Sequence, residues 1–421
     1  MAMRWTSLAV CVGLAACAAE HESADIGDAA GVADAVAGAV CVAAPPAVPF
    51  TRLSTNPRLQ PGQTFSDGLR DMIIADPDLH WDLPTQRWSL YYMAGHSAAF
   101  NDTQVQTIRH ATSVDGSAFS VIDAPALAAS ADPQAWDHGN TETPSVAYNP
   151  DAPPGRRYLM MYSGALVGFL LPGADKTTPI YGIGAAFSAD GATFTRVSAA
   201  ASPHGAAGLV LDGSDVYPSA HLAIVADPEV LYRDGVYHVW FSSYACAGTS
   251  LGVCATTTAY GIGHATSRDG IHWTPDPVNP VPSLLHDPSL PYSGGGQPSV
   301  VWDPTHCQYE MWLTSDAAGE TNTQPVAFNN MAGVWHATSA DGATWSVNYA
   351  GARDLSWSSA VMGEHWGLLT GADVAIKGNE RRMVYVGFED RNAPAGLYLP
   401  VRAAPWFWPG VFDLNVATRV Q

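Results

Sequence analysis

Ala265-Thr266-Ser267-Arg268-Asp269-Gly270, followed by an aromatic at Trp273, is one of four copies of a single phrase. The others run from Ala111 to Gly116 with Phe119, from Ala186 to Gly191 with Phe194, and from Ala337 to Gly342 with Trp345. Their aspartates fall 75, 79 and 72 residues apart. Self-similarity at a near-constant period is the mark of a repeat architecture. Asp-Gly between β-prone segments predicts a tight hairpin turn, because both residues tolerate positive φ. The aromatic three residues past the glycine then falls on the returning strand.

A second phrase precedes each copy. It reads Asp76-Pro77-Asp78-Leu79, Thr143-Pro144-Ser145-Val146, Asp227-Pro228-Glu229-Val230 and Gln297-Pro298-Ser299-Val300, with a looser fifth form, Gly371-Ala372-Asp373-Val374. A polar turn and a hydrophobic strand follow each time, as in Tyr237-His238-Val239-Trp240-Phe241-Ser242. Proline is tolerated at the first residue of a strand. Five units of three to four strands, repeated radially, predict an all-β fold: a five-bladed β-propeller of four-stranded antiparallel blades around a central channel. The fifth unit lacks its own Asp-Gly phrase, so a strand within 50–59 is expected to close it. The propeller is expected to occupy residues 49–421 as one domain.

The ends and the charge bound the setting. Arg4, the apolar run from Leu8 to Leu14 and Leu14-Ala15-Ala16-Cys17 read as an export signal over residues 1–16. The tetrad resembles a bacterial lipoprotein signal, which implies lipidation at Cys17, an Ala/Gly-rich tether over 18–48 and exposure at the cell envelope or secretion. Of the remaining cysteines, Cys246 and Cys254 flank a short loop and are the expected pair. Cys41 with Cys307 would then pin the tether to the ring. Net charge is −20 with only two lysines, Lys176 and Lys377, which excludes a nucleic-acid partner. An anionic membrane surface is equally disfavoured, so any membrane attachment would be through lipid alone. The acid excess reads as solubility, or as carboxylates gathered in a site. A monomer is expected.

In a propeller the inner strands converge, so Asp76, Glu142 and Thr143, Asp227, Gln297 and Asp373 come from distant parts of the chain to one small space. Carboxylates so gathered raise at least one pKa and can divide acid and base roles. Glu229, two residues past Asp227, is expected on the same face by strand alternation. Trp81, Trp136, Tyr217 and Trp366 are candidate rings for stacking on sugars. His110, His264 and His336 recur at one register, which points to a shared structural task. His365 breaks that register.

The third unit, Asp227 to Ser243 followed by Tyr260-Gly261-Ile262-Gly263-His264 through Trp273, resembles the five-bladed propeller glycosidases of families 43, 32 and 130. The likeness extends over about residues 73–402. It implies a carbohydrate substrate cleaved by paired carboxylates. Asp76 matches the family 43 general base and Asp227 the aspartate that tunes the acid. The acid itself falls to Glu142 or Glu229, because Gly295-Gly296-Gln297-Pro298 carries a glutamine where that family has a glutamate. The working assignment is Asp76 base, Glu142 acid and Asp227 partner, with Glu229, Gln297, Asp373, Trp81 and His365 contacting substrate. The resemblance also implies a calcium in the channel, with His365 as a possible ligand. Gln297 leaves a second reading open, a non-catalytic propeller that binds glycans or a surface protein. A sialidase-like enzyme is a more distant third, since its aspartate box is one residue longer and needs an arginine triad.

Overall fold

The computed structural model describes residues 41–44, 48–96, 106–138, 140–165, 181–250, 253–254, 257–290, 293–314, 333–349, 353–356, 369–389 and 411–420. The chain divides after Cys41, and the propeller belongs to the part from Val42 onward. Cys17, His365 and Trp366 lie outside the described residues.

Five sheets form in chain order. A short strand β1 (Thr51–Arg52) comes first. Blade 1 holds β2 (Ile73–Asp82), β3 (Arg87–Gly95), β4 (Gln106–Ser113) and β5 (Ser120–Val121). Blade 2 holds β6 (Thr141–Tyr148), β7 (Tyr158–Gly164), β8 (Gly182–Ser188) and β9 (Thr195–Arg196), with β10 (Leu209–Asp212) added on β8. Blade 3 holds β11 (Leu222–Arg233) and β12 (Val236–Cys246). A small hairpin of β13 (Thr249–Ser250) and β14 (Val253–Cys254) intervenes before β15 (Thr257–Ser267) and β16 (Thr274–Pro275) complete it. Blade 4 holds β17 (Gly296–Asp303), β18 (Gln308–Thr314), β19 (Gly333–Ser339) and β20 (Ser346–Val347), with β21 (Leu355–Ser356) beside β19. Blade 5 holds β22 (Leu369–Lys377), β23 (Glu380–Glu389) and β24 (Val411–Val420), and β1 supplies its outer strand. Thr51 pairs with Thr418 and Leu59 bridges Leu414, so the expected closure from the N-terminal side is what the fold uses.

Middle strands such as β3 are buried on both faces, because each blade is covered by a neighbour on either side. This is why they read as hydrophobic runs rather than alternating patterns. The core is accordingly divided among the blade interfaces. Leu159, Met161 and Phe187 of blade 2 meet Val225, Val239 and Phe241 of blade 3. Trp240 and Ile262 of blade 3 meet Met311 and Trp345 of blade 4. Separate clusters fill the blade 1–2, blade 4–5 and blade 5–1 interfaces.

The Asp-Gly phrases are structural, but not as two-residue hairpins. Six residues separate β4 from β5, and only the glycines take positive φ, 66°, 74°, 73° and 74°. In each copy the serine Oγ accepts the glycine N–H and donates to the aspartate Oδ1. That oxygen also accepts a backbone N–H two residues on. The loop closes by side-chain bonds to its own backbone instead of by turn geometry. Its glycine also meets the blade before it: Tyr91 hydroxyl donates to the Gly191 carbonyl at 2.5 Å, and Trp240 Nε1 to that of Gly342 at 3.1 Å.

The recurrent histidines stack on the middle strands as expected of a shared structural task. His110 lies 4.3 Å from the Tyr91 ring, His264 5.0 Å from Trp240 and His336 4.9 Å from Trp312. Cys41, Cys246 and Cys307 are disulfide-bonded. The side chain of Cys254 is outside the described residues.

Candidate active site

Each inner strand is interrupted once, at the same place. The register slips between Ala75 and Asp78, Glu142 and Ser145, Ala226 and Glu229, Gly296 and Ser299, and Thr370 and Asp373. At each slip one residue takes the left-handed conformation: Asp76 (φ 50°), Thr143 (47°), Asp227 (50°), Gln297 (50°) and Gly371 (53°). A non-glycine residue there costs roughly 1 kcal/mol or more. Four of the five are followed by proline, which has no N–H for the bulge to leave unpaired. Bulges of this kind re-aim side chains near functional sites. Here they turn five side-chain positions toward a small recess, about 40 Å³, on the propeller axis.

Strand alternation therefore does not carry across the slip, and the expectation that linked Glu229 to Asp227 by alternation needs correcting. Both residues line the recess, but because of the bulge.

Two levels result. The upper holds Asp76, Thr143, Asp227, Gln297 and Gly371, with Glu142 beside Thr143. The lower holds Asp78, Ser145, Glu229, Ser299 and Asp373. Every lower-level side chain accepts a backbone N–H from the next blade. Val230 N donates to Ser145 Oγ (2.9 Å), Val300 N to Glu229 Oε1 (3.0 Å) and Val374 N to Ser299 Oγ (2.9 Å). Leu79 N donates to Asp373 Oδ2, and Val146 N to the Asp78 carboxyl. These five bonds run in one direction around the channel and close on themselves. Glu229 and Asp373, expected as substrate contacts, thus already staple blades together.

Gln297 is committed in a similar way. Its Oε1 accepts the Gly371 N–H at 3.1 Å, and its own N–H donates to Ser242 Oγ at 2.8 Å. Asp227 N donates to Ser163 Oγ at 2.8 Å, and Ser163 also bonds Thr143. Ser163 and Ser242 occupy equivalent sites on the second strands of blades 2 and 3, opposite Glu142 and Ala226.

Trp81 requires a plainer correction. It lies near the far end of β2, five residues past Asp76, about 16 Å along an extended strand. There it packs edge-on against Trp88 (5.4 Å), with Lys377 Nζ 3.5 Å from its ring. It serves the distal rim of the blade 5–1 interface. Trp136 likewise stacks on Tyr162 at 5.9 Å and is buried. Tyr217 hydroxyl bonds Ser243 Oγ at 2.8 Å.

Asp76, Glu142 and Asp227 do come together. Burial, then the Glu142 and Asp227 charges, push the Asp76 carboxyl well above its usual range. Burial also raises Asp227, against a hydrogen bond from Ser242. Glu142 is pushed up to about 7 by burial. Hydrogen bonds from Tyr181 and Gln106 oppose that rise, while the Asp227 charge adds to it. Tyr181, Gln106, Ser163 and Ser242 were not singled out in the sequence. The two serines carry a signal in the repeated strand-end Ser, and Tyr181 one in the Tyr-Gly-Ile-Gly run that recurs at Tyr260.

The lower level contains Asp78, Glu229 and Asp373, whose oxygens lie within 4.8 Å of one another in a buried setting. Burial and mutual repulsion raise Glu229 well above its usual range and Asp373 to about 7, while burial raises Asp78. Three hard oxygen donors so placed fit a calcium. Asp78 Oδ2 is buried, with His80 Nδ1 3.7 Å away. These are the described residues that would hold such an ion. A second acidic group, Asp303 with Glu310, is instead neutralised by Arg381, at 2.9 Å from Glu310.

No family model and no curated protein matches the chain. Solved structures do. BT0996, solved as an RGII complex, aligns with a TM-score of 0.58 at 15% identity, covering 88% of this sequence and 93% of its own. An N-acetylgalactosamine deacetylase from F. plautii, in complex with blood group B trisaccharide, aligns at 0.56 and 14%, covering 88% and 95%. Zg3597, a family 117 glycoside hydrolase from the marine bacterium Zobellia galactanivorans, aligns at 0.50 and 14%, covering 88% and 89%. The protein shares its fold with these structures. At this identity the likeness speaks to the fold, and the chemistry must be argued from the side chains.

Proposed function

We propose that the protein is a carbohydrate-active hydrolase that cleaves a glycosidic bond with Asp76, Glu142 and Asp227 at the axial recess. The observation that carries this reading is their gathering: three carboxyls from three blades share one buried space, where the Glu142 and Asp227 charges raise the proton affinity of Asp76 and the Asp227 charge raises that of Glu142. Glycoside cleavage needs one carboxylic acid to protonate the leaving oxygen and one carboxylate to activate water or attack carbon. A coupled trio supplies both at neutral pH.

The electrostatics favour exchanging the two roles inferred from the resemblance. Glu142 receives Tyr181 and Gln106, and Asp227 receives Ser242; such donors favour the ionised form. The forces on Asp76 are burial and two neighbouring carboxylates, all of which favour the proton. Asp76 is therefore the acid in the resting site. Glu142, titrating near 7, suits the base. Asp227 holds the proton on Asp76 by its charge.

The sialidase-like alternative loses ground here. Arg109, Arg381 and Arg419 are buried, but each is paired with acids, and none of the three lines the recess. The glycan-binding alternative draws support from Gln297, whose amide oxygen is engaged by Gly371 rather than free for chemistry.

The deciding experiment is a release assay on a panel of oligosaccharides and aryl glycosides. Asp76→Asn and Glu142→Gln should each lower kcat/KM at least roughly 10³-fold, within the usual contribution of one acid or base, with melting temperature held or raised. Asp76→Asn should keep far more activity on an aryl glycoside with an acidic phenol, which leaves without protonation. Binding with no turnover by the wild type would hand the protein to the glycan-binding reading.

A further inference from the structure

Glu142 does not sit alone in its wall of the funnel. Tyr181, just ahead of β8, bonds its carboxyl, and Asn140 Nδ2 donates to the Tyr181 hydroxyl at 3.2 Å. An amide NH₂ can only donate, so the Tyr181 oxygen accepts there and its own proton is directed to Glu142. From the other side Gln106, the first residue of β4 and buried, donates to the same carboxyl. Two neutral donors from two different blades thus converge on one carboxylate.

We propose that Tyr181, aimed by Asn140, and Gln106 are positioning residues that hold the Glu142 carboxyl and favour its ionised form. The inference rests on the proposed reaction for its purpose, but not for its test. Among the described residues, the charged or titratable groups facing Glu142 are Asp76 from β2, Asp227 from β11 and Tyr181 itself. Arg196, a cation of blade 2, is engaged by Asp137 at 2.7 Å. Among the described residues, local donors rather than a nearby positive charge therefore favour the ionised Glu142. Tyr181 and Gln106 stand at one register, five residues before the Ala-x-Ser-x-Asp-Gly phrase of their blades, where blade 3 has Tyr260.

The test is a carboxyl-carbon NMR titration of the full chain labelled at glutamate, with Glu142→Gln assigning the signal. Wild type should give a midpoint near 7. Tyr181→Phe keeps the ring but removes the donor, and should raise the midpoint by about one unit, a tenfold change in proton affinity. Asn140→Ala, which touches Glu142 only through Tyr181, should raise it less, and Gln106→Met should raise it as Tyr181→Phe does. If Tyr181→Phe fails to fold, the other two variants decide. Midpoints unchanged from wild type in the folded variants overturn the inference, whether or not the enzyme turns over. Shifted midpoints in a protein that cleaves no glycan would sustain the inference and sink the reaction.

Discussion

The residue that turns each inner strand meets the demand for positive φ with four residue types in five blades: Asp76 and Asp227, Thr143, Gln297 and Gly371. Gly371 adopts φ 53° at no steric cost, and a Cβ there would stand 3.3 Å from Val386 Cγ2. Gly371→Ala should destabilise by roughly 1–2 kcal/mol, read by chemical denaturation. Aspartate and asparagine both tolerate that conformation, so the Asn variants of Asp76 and Asp227 keep the turn and lose only charge. Ser242 is a different kind of position: its Oγ accepts the Gln297 N–H and bonds the Asp227 carboxyl. Ser242→Ala should cost roughly 1–3 kcal/mol through the orphaned N–H and raise the Asp227 pKa, visible as a shifted pH profile. At this scale the sequence was readable in part. Asp76, Glu142 and Asp227 could be gathered because they flank a recurring phrase. The proton's location could not, because Tyr181 and Gln106 lie outside that phrase and reach Glu142 only once blades 1 and 2 are side by side.

The blade is the element that repeats, and its signals were the strongest in the chain. The Ser-x-Asp-Gly loop announced itself four times, and the structure gives it one hydrogen-bond pattern four times. Its length was misjudged because Asp-Gly suggests a two-residue turn, whereas the serine and aspartate side chains span a longer one. Ser339→Ala removes the acceptor of the Gly342 N–H; Ser339 is buried. The expected loss is roughly 1 kcal/mol, and the Trp240 indole bond to Gly342 should loosen with it, seen as a red-shifted tryptophan emission. Trp81 was misplaced for a reason of the same scale. A ten-residue strand has two ends, and its sequence does not say which one faces the axis.

The whole molecule carries its excess acid as buried protons as well as surface charge. Asp71, Glu142 and Asp373 are each raised to about 7, chiefly by burial. Their unfolded values are near 4, so between about pH 8.5 and 6.5 the folded state takes up protons that the unfolded chain does not. Stability must therefore rise as pH falls through that window, by on the order of 2 kcal/mol for the three together. Below about 6.5 buried histidines oppose the trend. His110 and His238 are lowered to about 4 by burial, so the unfolded chain protonates first and their contribution is lost as pH drops. Three carboxyls outnumber the two histidines, so melting temperature should go on rising as pH falls below about 6.5, but less steeply. A curve that climbs steadily to about pH 8.5 would contradict the buried carboxyls. Fold class was legible at this scale because five copies of one phrase leave few other arrangements.

The one-way chain of inner-strand N–H bonds has a topological corollary. Leu79 reaches back to Asp373 across 294 positions of sequence, and the other four links join consecutive blades. A closed cycle has no privileged starting point. New termini cut between blades 2 and 3, with the old ends joined, should leave all five links and the β1–β24 seam intact, whereas excision of any single blade should leave one donor and one acceptor stranded at the axis.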